Sequence, residues 1–324
     1  MIAYLILCHK YPDQVIRLIR VLREAGTIFV IHIDAGAPET VRRTIEKAAA
    51  QLDGIFLVRQ HYCRWGTFSL VAATIECIAT LVALKKPFDY AVLLSGQDYP
   101  IKSNSSIRQF FKDNDGRQFI ESFSLQKPNR WSGNSGPYNS QARIRYFHFN
   151  FRRYWIYFKS RREFPLGWEP YGGSQWWMLS RDCIVYLHSF IRDNPSFVRY
   201  FRNVFIPDES FFQSVISNSP FRTVVANDDA RFIDWKNPNP KVTDDDRPSI
   251  RNRISKIYGL MNRLLFRLLR HRAMMISQFL LPRTFVTSDF ETLSESPKLF
   301  ARKFDPVQSE ECLRLIDRNL LGIV

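Results

Sequence analysis

The sequence has 324 residues, 45% of them hydrophobic and 24% charged, which is enough chain for one large globular domain that folds without staples. Its five cysteines (Cys8, Cys63, Cys77, Cys183 and Cys312) are odd in number, scattered and never spaced Cys-x-x-Cys, so a disulfide scaffold is excluded and reduced thiols are expected. No apolar run reaches the roughly 18 residues that a bilayer span requires, and the net charge of +15 suits a polyanionic partner without choosing among nucleic acid, anionic lipid and phosphorylated substrates.

Residues 2–8 form an apolar run with no basic segment before it, which predicts a buried first strand and not a signal peptide, and hence a cytoplasmic location. Residues 12–25 have helical period, with Pro12 near the start and Gly26 as the stop. A second strand is expected over 28–34, a helix over 38–52, a strand over 55–59, a long apolar helix over 67–85 and a further buried strand over 90–95. Strand and helix alternating at this spacing predict an α/β fold with a mostly parallel sheet and crossover helices. Ligands of such sheets bind beyond the C-terminal strand ends, where His9, Asp34 and the run Ser95-Gly96-Gln97-Asp98 fall.

From about 115 the pattern changes. Residues 125–170 are rich in aromatics, arginine, glycine and proline, with loop-like stretches, and are expected to form a substrate-facing layer over the sheet. A strand is expected over 172–180, a helix to about 192, and another helix over 207–217 that opens at Pro207. Over 251–272, apolar residues recur at three- and four-residue steps among arginines and lysines, the signature of a basic amphipathic helix. Such a helix suits a core element with one wet face, an interfacial helix on anionic lipid, or a nucleic-acid surface.

Three motifs could carry chemistry. Pro207-Asp208-Glu209 on its own suits a helix cap first, and after that a general base taking the proton of an attacking hydroxyl. Leu94-Ser95-Gly96-Gln97-Asp98 ends a buried strand where backbone must approach something closely, with Asp98 in a turn or a ligand contact. Its spacing lacks the Asp-x-Asp of a metal site, because Gly96 occupies the completing position. Arg302-Lys303 after Leu299-Phe300 could neutralise a leaving diphosphate, and Arg283 lies upstream. The run Asp244-Asp245-Asp246 suits solvated charge, and His32 with Asp34 on one strand face is too little for a metal.

Taken in order, eight runs resemble the core 2/I-branching β-1,6-N-acetylglucosaminyltransferases and peptide O-xylosyltransferases. They begin at Tyr4, Val30, Tyr62, Leu94, Gly173, Pro207, Arg231 and Leu299 and extend to Asp305. The resemblance implies a GT-A-like, Rossmann-type central sheet in a single domain over 1–324. Within it, 1–115 is the nucleotide-binding half, 116–240 the acceptor and catalytic half, 248–280 a basic helical insertion and 281–324 a diphosphate-binding segment. It implies an inverting, metal-independent transfer from a UDP-sugar, N-acetylglucosamine before xylose, to a glycan or lipid-linked saccharide. A basic nucleic-acid-binding protein without enzymatic activity is the reading from another class.

Position by position, the resemblance makes Glu209 the catalytic base. It places Ile6, Asp34, Tyr62 and Asp98 with the nucleotide donor, and Arg283 and Lys303 on its diphosphate. It places Glu121, Trp235 and one of Arg143 and Arg145 with the acceptor. It implies no cofactor, and the segment 251–272 is free to meet an anionic membrane surface.

Overall fold

The computed structural model describes residues 1–134, 139–151, 154–158, 162–235, 273–275 and 282–323. The N-terminal half alternates as expected: β1 (Ile2–Cys8), α1 (Pro12–Leu22), β2 (Ile28–Ile33), α2 (Glu39–Gln51), β3 (Ile55–Leu57), α3 (Phe68–Ala83) and β4 (Tyr90–Ser95). A short β5 (Asp98–Pro100), α4 (Asn104–Asp113), β6 (Phe119–Ile120) and β7 (Phe123–Ser124) follow. Then come α5 (Ser140–Arg145), β8 (Phe147–Phe151), β9 (Tyr154–Phe158), β10 (Tyr171–Gly172), β11 (Trp177–Ser180), α6 (Arg181–Asp193), α7 (Pro195–Phe201) and α8 (Phe211–Ser217). The chain continues through β12 (Arg231–Ile233), β13 (Ala273–Met275), α9 (Phe290–Glu295), β14 (Phe300–Arg302) and α10 (Glu310–Ile316).

The central sheet has six strands in the order β3-β2-β1-β4-β11-β6. The first four are mutually parallel, and β11 runs antiparallel to both β4 and β6. Parallel strands covered on both faces need apolar side chains on both faces, which is why these segments are near-continuous hydrophobic runs. Alternation along β1 divides the core. Tyr4, Ile6 and Cys8 pack with Val15, Leu18 and Ile19 of α1 and Val41 and Ile45 of α2. Ala3 and Leu5 face the other way, onto Val71, Ile78 and Leu81 of α3 and Ile184 and Leu187 of α6.

Gly96 bears out the close approach expected after β4. A Cβ there would stand 2.7 Å from Val15 Cγ2 and 3.1 Å from Cys8 Cβ. The bend it permits turns the chain into β5, which pairs antiparallel with β14, and β14 pairs parallel with β12. Residues from the C-terminal segment are thereby brought to the C-terminal end of β4.

Beside its loop-like parts, the stretch 125–170 holds α5 and the β8–β9 hairpin, to which β13 adds a third strand. Several expectations are corrected. The residues 273–275 of the expected helical insertion are therefore strand, because β9 offers them an open edge. The basic segment 251–272 and Asp244-Asp245-Asp246 lie outside the described residues. The strand expected over 172–180 is broken into β10 and β11. The helix expected from Pro207 is a single 3-10 turn, Pro207–Glu209, separated from α8 by Ser210 at φ −147°. No cysteine is paired with another, and all but Cys63 are buried.

Candidate active site

A cleft of about 910 Å³ opens beside the end of β4, lined by Trp131, Arg143, Asp208 and Glu209 together with Trp176, Arg231, Trp235, Lys298 and Arg302. Glu209 reaches it through a strained turn. Ile206, a β-branched residue, sits in the left-handed region at φ 51° and ψ 61°, where such side chains are rarely found. Its amide donates to Gly66 O at 3.0 Å, and Pro207 then fixes the first turn position. The Glu209 carbonyl accepts from Gly173 N at 2.9 Å, so the backbone on both sides of the carboxylate is tied down.

The carboxylate itself accepts a 2.6 Å bond from Arg143 Nη1. Arg143 is buried on α5, with its guanidinium carbon 3.8 Å from the centroid of the Trp131 ring. A buried, aromatic-backed cation is a rigid partner, and it fixes one Glu209 oxygen while the side chain remains 32% exposed to the cleft. Asp208, the neighbour on the same turn, is 6% exposed. Burial pushes its carboxyl up to about 7, with the adjacent Glu209 charge acting in the same direction.

Glu121 faces the same cleft in a two-pronged ion pair with Arg130, at 2.6 and 2.7 Å. Burial raises its pKa, partly offset by Arg130. Gly173 crosses directly over this residue: a Cβ at 173 would fall 1.9 Å from the Glu121 carbonyl oxygen. Backbone cannot yield there as a side-chain tip would. Gly173→Ala is therefore expected to lower unfolding stability by about 1–3 kcal/mol and to shift Glu121 and the Glu209 turn together. Urea unfolding checks it, and an unchanged midpoint would contradict the close approach.

The floor of the cleft is a buried charge cluster. Asp98 is fully buried, 3.3 Å from Arg231 Nε and 3.8 Å from Arg302 Nη1, and its carboxylate accepts from Ser95 N. Arg231 also donates to Leu93 O at 2.9 Å. Both guanidinium carbons lie over the Trp176 ring, at 4.7 and 4.8 Å from its centroid. Arg302 also bonds Ser95 Oγ, which fastens the cluster to the end of β4.

The remaining expected donor residues lie elsewhere. Asp34 accepts from Gly36 N at 2.6 Å, beyond the end of β2, and the exposed Tyr62 ring covers Gly36 so closely that a Cβ would meet it at 2.7 Å. His61 stacks on His32, whose Nε2 accepts the His61 amide at 2.8 Å, and burial lowers His32 to about 4. Asp34, His61 and Tyr62 thus sit together beyond the ends of β2 and β3. Ile6 is fully buried in mid-strand between β2 and β4, so its side chain serves the core. Of the alternatives Arg143 and Arg145, only Arg143 lines the cleft among the described residues; Arg145, two residues further along the helix, stands apart on its opposite side.

Arg283 is gripped by two carboxylates, at 2.9 Å from Asp234 and at 2.5 and 2.9 Å from Asp289, so its charge is balanced within the protein. Lys303 follows Arg302 at the end of β14, and its carbonyl accepts from Phe285 N at 2.9 Å. Asp98, expected beside the donor, acts on the cleft only through its two arginines. The structure thus brings together Glu209, Arg143, Glu121 and Trp235. It adds Arg231, Arg302, Trp176, Trp65 and Asp208, which the sequence shows within the resembling runs but to which it assigns no role, except Arg302 as half of the cationic pair. Among the described residues no group of three or more His, Cys, Asp or Glu side chains gathers to hold a metal.

These features define an α/β protein whose parallel strands end beside a cleft built from a fixed carboxylate, arginines and tryptophans. The chain belongs to the Core-2/I-Branching enzyme family, whose sequence profile matches residues 2–257. It is 25% identical over 329 residues to xylosyltransferase 2 of Canis lupus familiaris, covering 99% of this chain and 34% of that protein. It is 26% identical over 227 residues to xylosyltransferase oxt of Drosophila pseudoobscura pseudoobscura, covering 69% of this chain and 25% of that one. The chain therefore spans about a third of the length of the first of these relatives and a quarter of the second. Among solved structures, the galactosyltransferase LgtC in complex with donor and acceptor sugar analogs aligns over 100% of this chain and 97% of its own, with a TM-score of 0.42 and 12% identity.

Proposed function

We propose that the chain is an inverting glycosyltransferase that moves a sugar from a UDP-sugar to a glycan hydroxyl, with Glu209 as general base. The observation that carries this reading is the Glu209 carboxylate presented to the cleft by a tied-down turn and steadied by Arg143 at 2.6 Å. One carboxylate suffices for an inverting transfer. It takes the acceptor proton as that oxygen attacks the anomeric carbon, while UDP departs from the opposite face.

The departing diphosphate requires positive charge. Arg283 and Lys303 are the residues that the family resemblance assigns to it. Arg283 arrives already balanced by Asp234 and Asp289, which supports a role in shaping the segment, whereas Arg302 faces the cleft and supports a role on the leaving group. Asp34 and Tyr62 are read as the nucleotide side. Glu121, Arg143 and the half-exposed Trp235 are read as the acceptor side. The relatives' names favour xylose over N-acetylglucosamine as the transferred sugar. The test is UDP release from UDP-xylose and UDP-N-acetylglucosamine across an acceptor panel, and absence of release from every UDP-sugar would overturn the reading.

The transfer is proposed to be metal-independent, with arginine and lysine supplying the charge that a divalent cation otherwise brings. Turnover is expected to stay within about twofold in excess EDTA. A strict requirement for added Mn²⁺, reversed by chelation, would refute this. The basic segment 251–272 is proposed to rest on anionic lipid near a lipid-linked acceptor. Flotation with anionic vesicles tests it, and equal binding after its arginines are neutralised would reject it.

A further inference from the structure

Asp208 and Glu209 are successive residues on one turn, yet the fold treats their carboxyls differently. Glu209 is neutralised by Arg143 and stays partly open. Asp208 lines the same cleft, is 6% exposed, and its Oδ1 has no hydrogen-bond partner among the described residues. An ionised carboxylate sealed in this way is an uncompensated charge, whereas a carboxylic acid is a hydrogen-bond donor without its acceptor. The left-handed Ile206 and Pro207 fix the turn that carries the group.

We propose that Asp208 is kept as a neutral carboxylic acid whose O–H donates a hydrogen bond to an acceptor-sugar oxygen beside the hydroxyl that Glu209 deprotonates. This rests on the glycosyl-transfer reading of the cleft and extends it, since two adjacent carboxyls then divide base and donor roles by environment. The charged groups that act on Asp208 are Glu209 on its own turn, which favours the proton, and Arg143 on α5, which opposes it. Across the cleft, Glu121 is occupied by Arg130, Asp228 by Lys298, and Arg231 and Arg302 by Asp98, while Asp229 stands as a further acid.

Burial sets the proton's loss near pH 7. Above that, the donor becomes an acceptor and a second negative charge stands beside Glu209, so acceptor capture weakens as pH rises. The sign for stability is the same. A carboxyl raised in the folded state contributes fully below its ordinary value of 3.8, and that contribution is lost as pH climbs through about 7.

The experiment compares the full chain with Asp208→Asn and Asp208→Ala. Melting temperature is followed from pH 5 to pH 9, and UDP release from UDP-xylose and UDP-N-acetylglucosamine is followed with water and with 4-nitrophenyl β-D-galactoside as acceptors. The wild type is expected to lose melting temperature between pH 6 and pH 8 relative to Asp208→Asn, and to lose about tenfold in kcat/KM for acceptor over the same range. Asp208→Asn, whose amide still donates, is expected to be about threefold slower at pH 6 and flat to pH 8.5. Asp208→Ala is expected to lose about tenfold at pH 6, mostly in acceptor KM.

Melting curves of wild type and Asp208→Asn that stay parallel across the range overturn the proposal, whether or not turnover is detected. So does an Asp208→Asn variant as inactive as Glu209→Gln at every pH, because that outcome requires an ionised Asp208. Absence of UDP release from wild type bears on the glycosyltransferase reading alone, and the melting curves still decide the protonation of Asp208.

Discussion

Glu209→Gln is expected to lower the transfer rate by about 10²–10⁴ while the Kd for UDP changes by less than about twofold. The glutamine side chain has the same shape and still accepts the 2.6 Å bond from Arg143 Nη1 through its carbonyl oxygen. The turn held by Ile206 N to Gly66 O and by Gly173 N to Glu209 O uses backbone only, so it survives the substitution. What disappears is the basic oxygen. Uncatalysed loss of the acceptor proton then limits the rate, and the acceptor hydroxyl attacks as a neutral, poorer nucleophile. Single-turnover transfer and UDP calorimetry separate the two effects. Turnover near the wild-type level would remove Glu209 from the base role. A parallel loss of UDP affinity would instead place it in donor binding.

The reasons some of this was legible in the sequence and some was not are physical. β1, β2 and β4 are buried on both faces, and their apolar runs carry that fact residue by residue. The β8–β9 hairpin was equally accessible in principle, because Phe147-His148-Phe149-Asn150-Phe151 alternates with period two. Its arginine-rich surroundings masked that signal and suggested a loop. Boundaries failed where tertiary contacts intervened: the run 172–180 breaks because Gly173 must pass over the Glu121 carbonyl, which is 52 positions away in the chain. The site followed the same rule. Glu209 stood out through its proline and its acidic neighbour, whereas the Arg143 that orients it lies 66 residues away. Arg231 opens one of the resembling runs, but nothing local marks it as part of the site. Its importance arises from a pairing with Asp98 that only the β5–β14–β12 sheet creates.

That pairing carries the largest stability effect expected in the molecule. Asp98→Ala is expected to lower unfolding free energy by about 3–5 kcal/mol, because it leaves Arg231 as a buried cation, and Arg302 as a partly buried one, without their shared carboxylate. Arg231 and Asp98 both have side-chain exposures of 0%, so water cannot replace the lost partner. Arg302 is already held below its ordinary pKa by burial, and the Asp98 charge is what opposes that. Its removal also frees Ser95 N at the end of β4. Urea unfolding should show a lower midpoint with an unchanged slope. Replacing both members of the pair, Asp98→Leu with Arg231→Met, should recover much of the loss, since an apolar pair of similar volume removes the unpaired charge together with its partner. A loss below about 1 kcal/mol for Asp98→Ala would mean that the cluster is open to solvent. The same comparison separates folding from function. Trp176 lies against both guanidiniums, so the apolar pair should fold well and still hold its donor and acceptor poorly, because the floor of the cleft has then lost a cation and the stack that orients the ring.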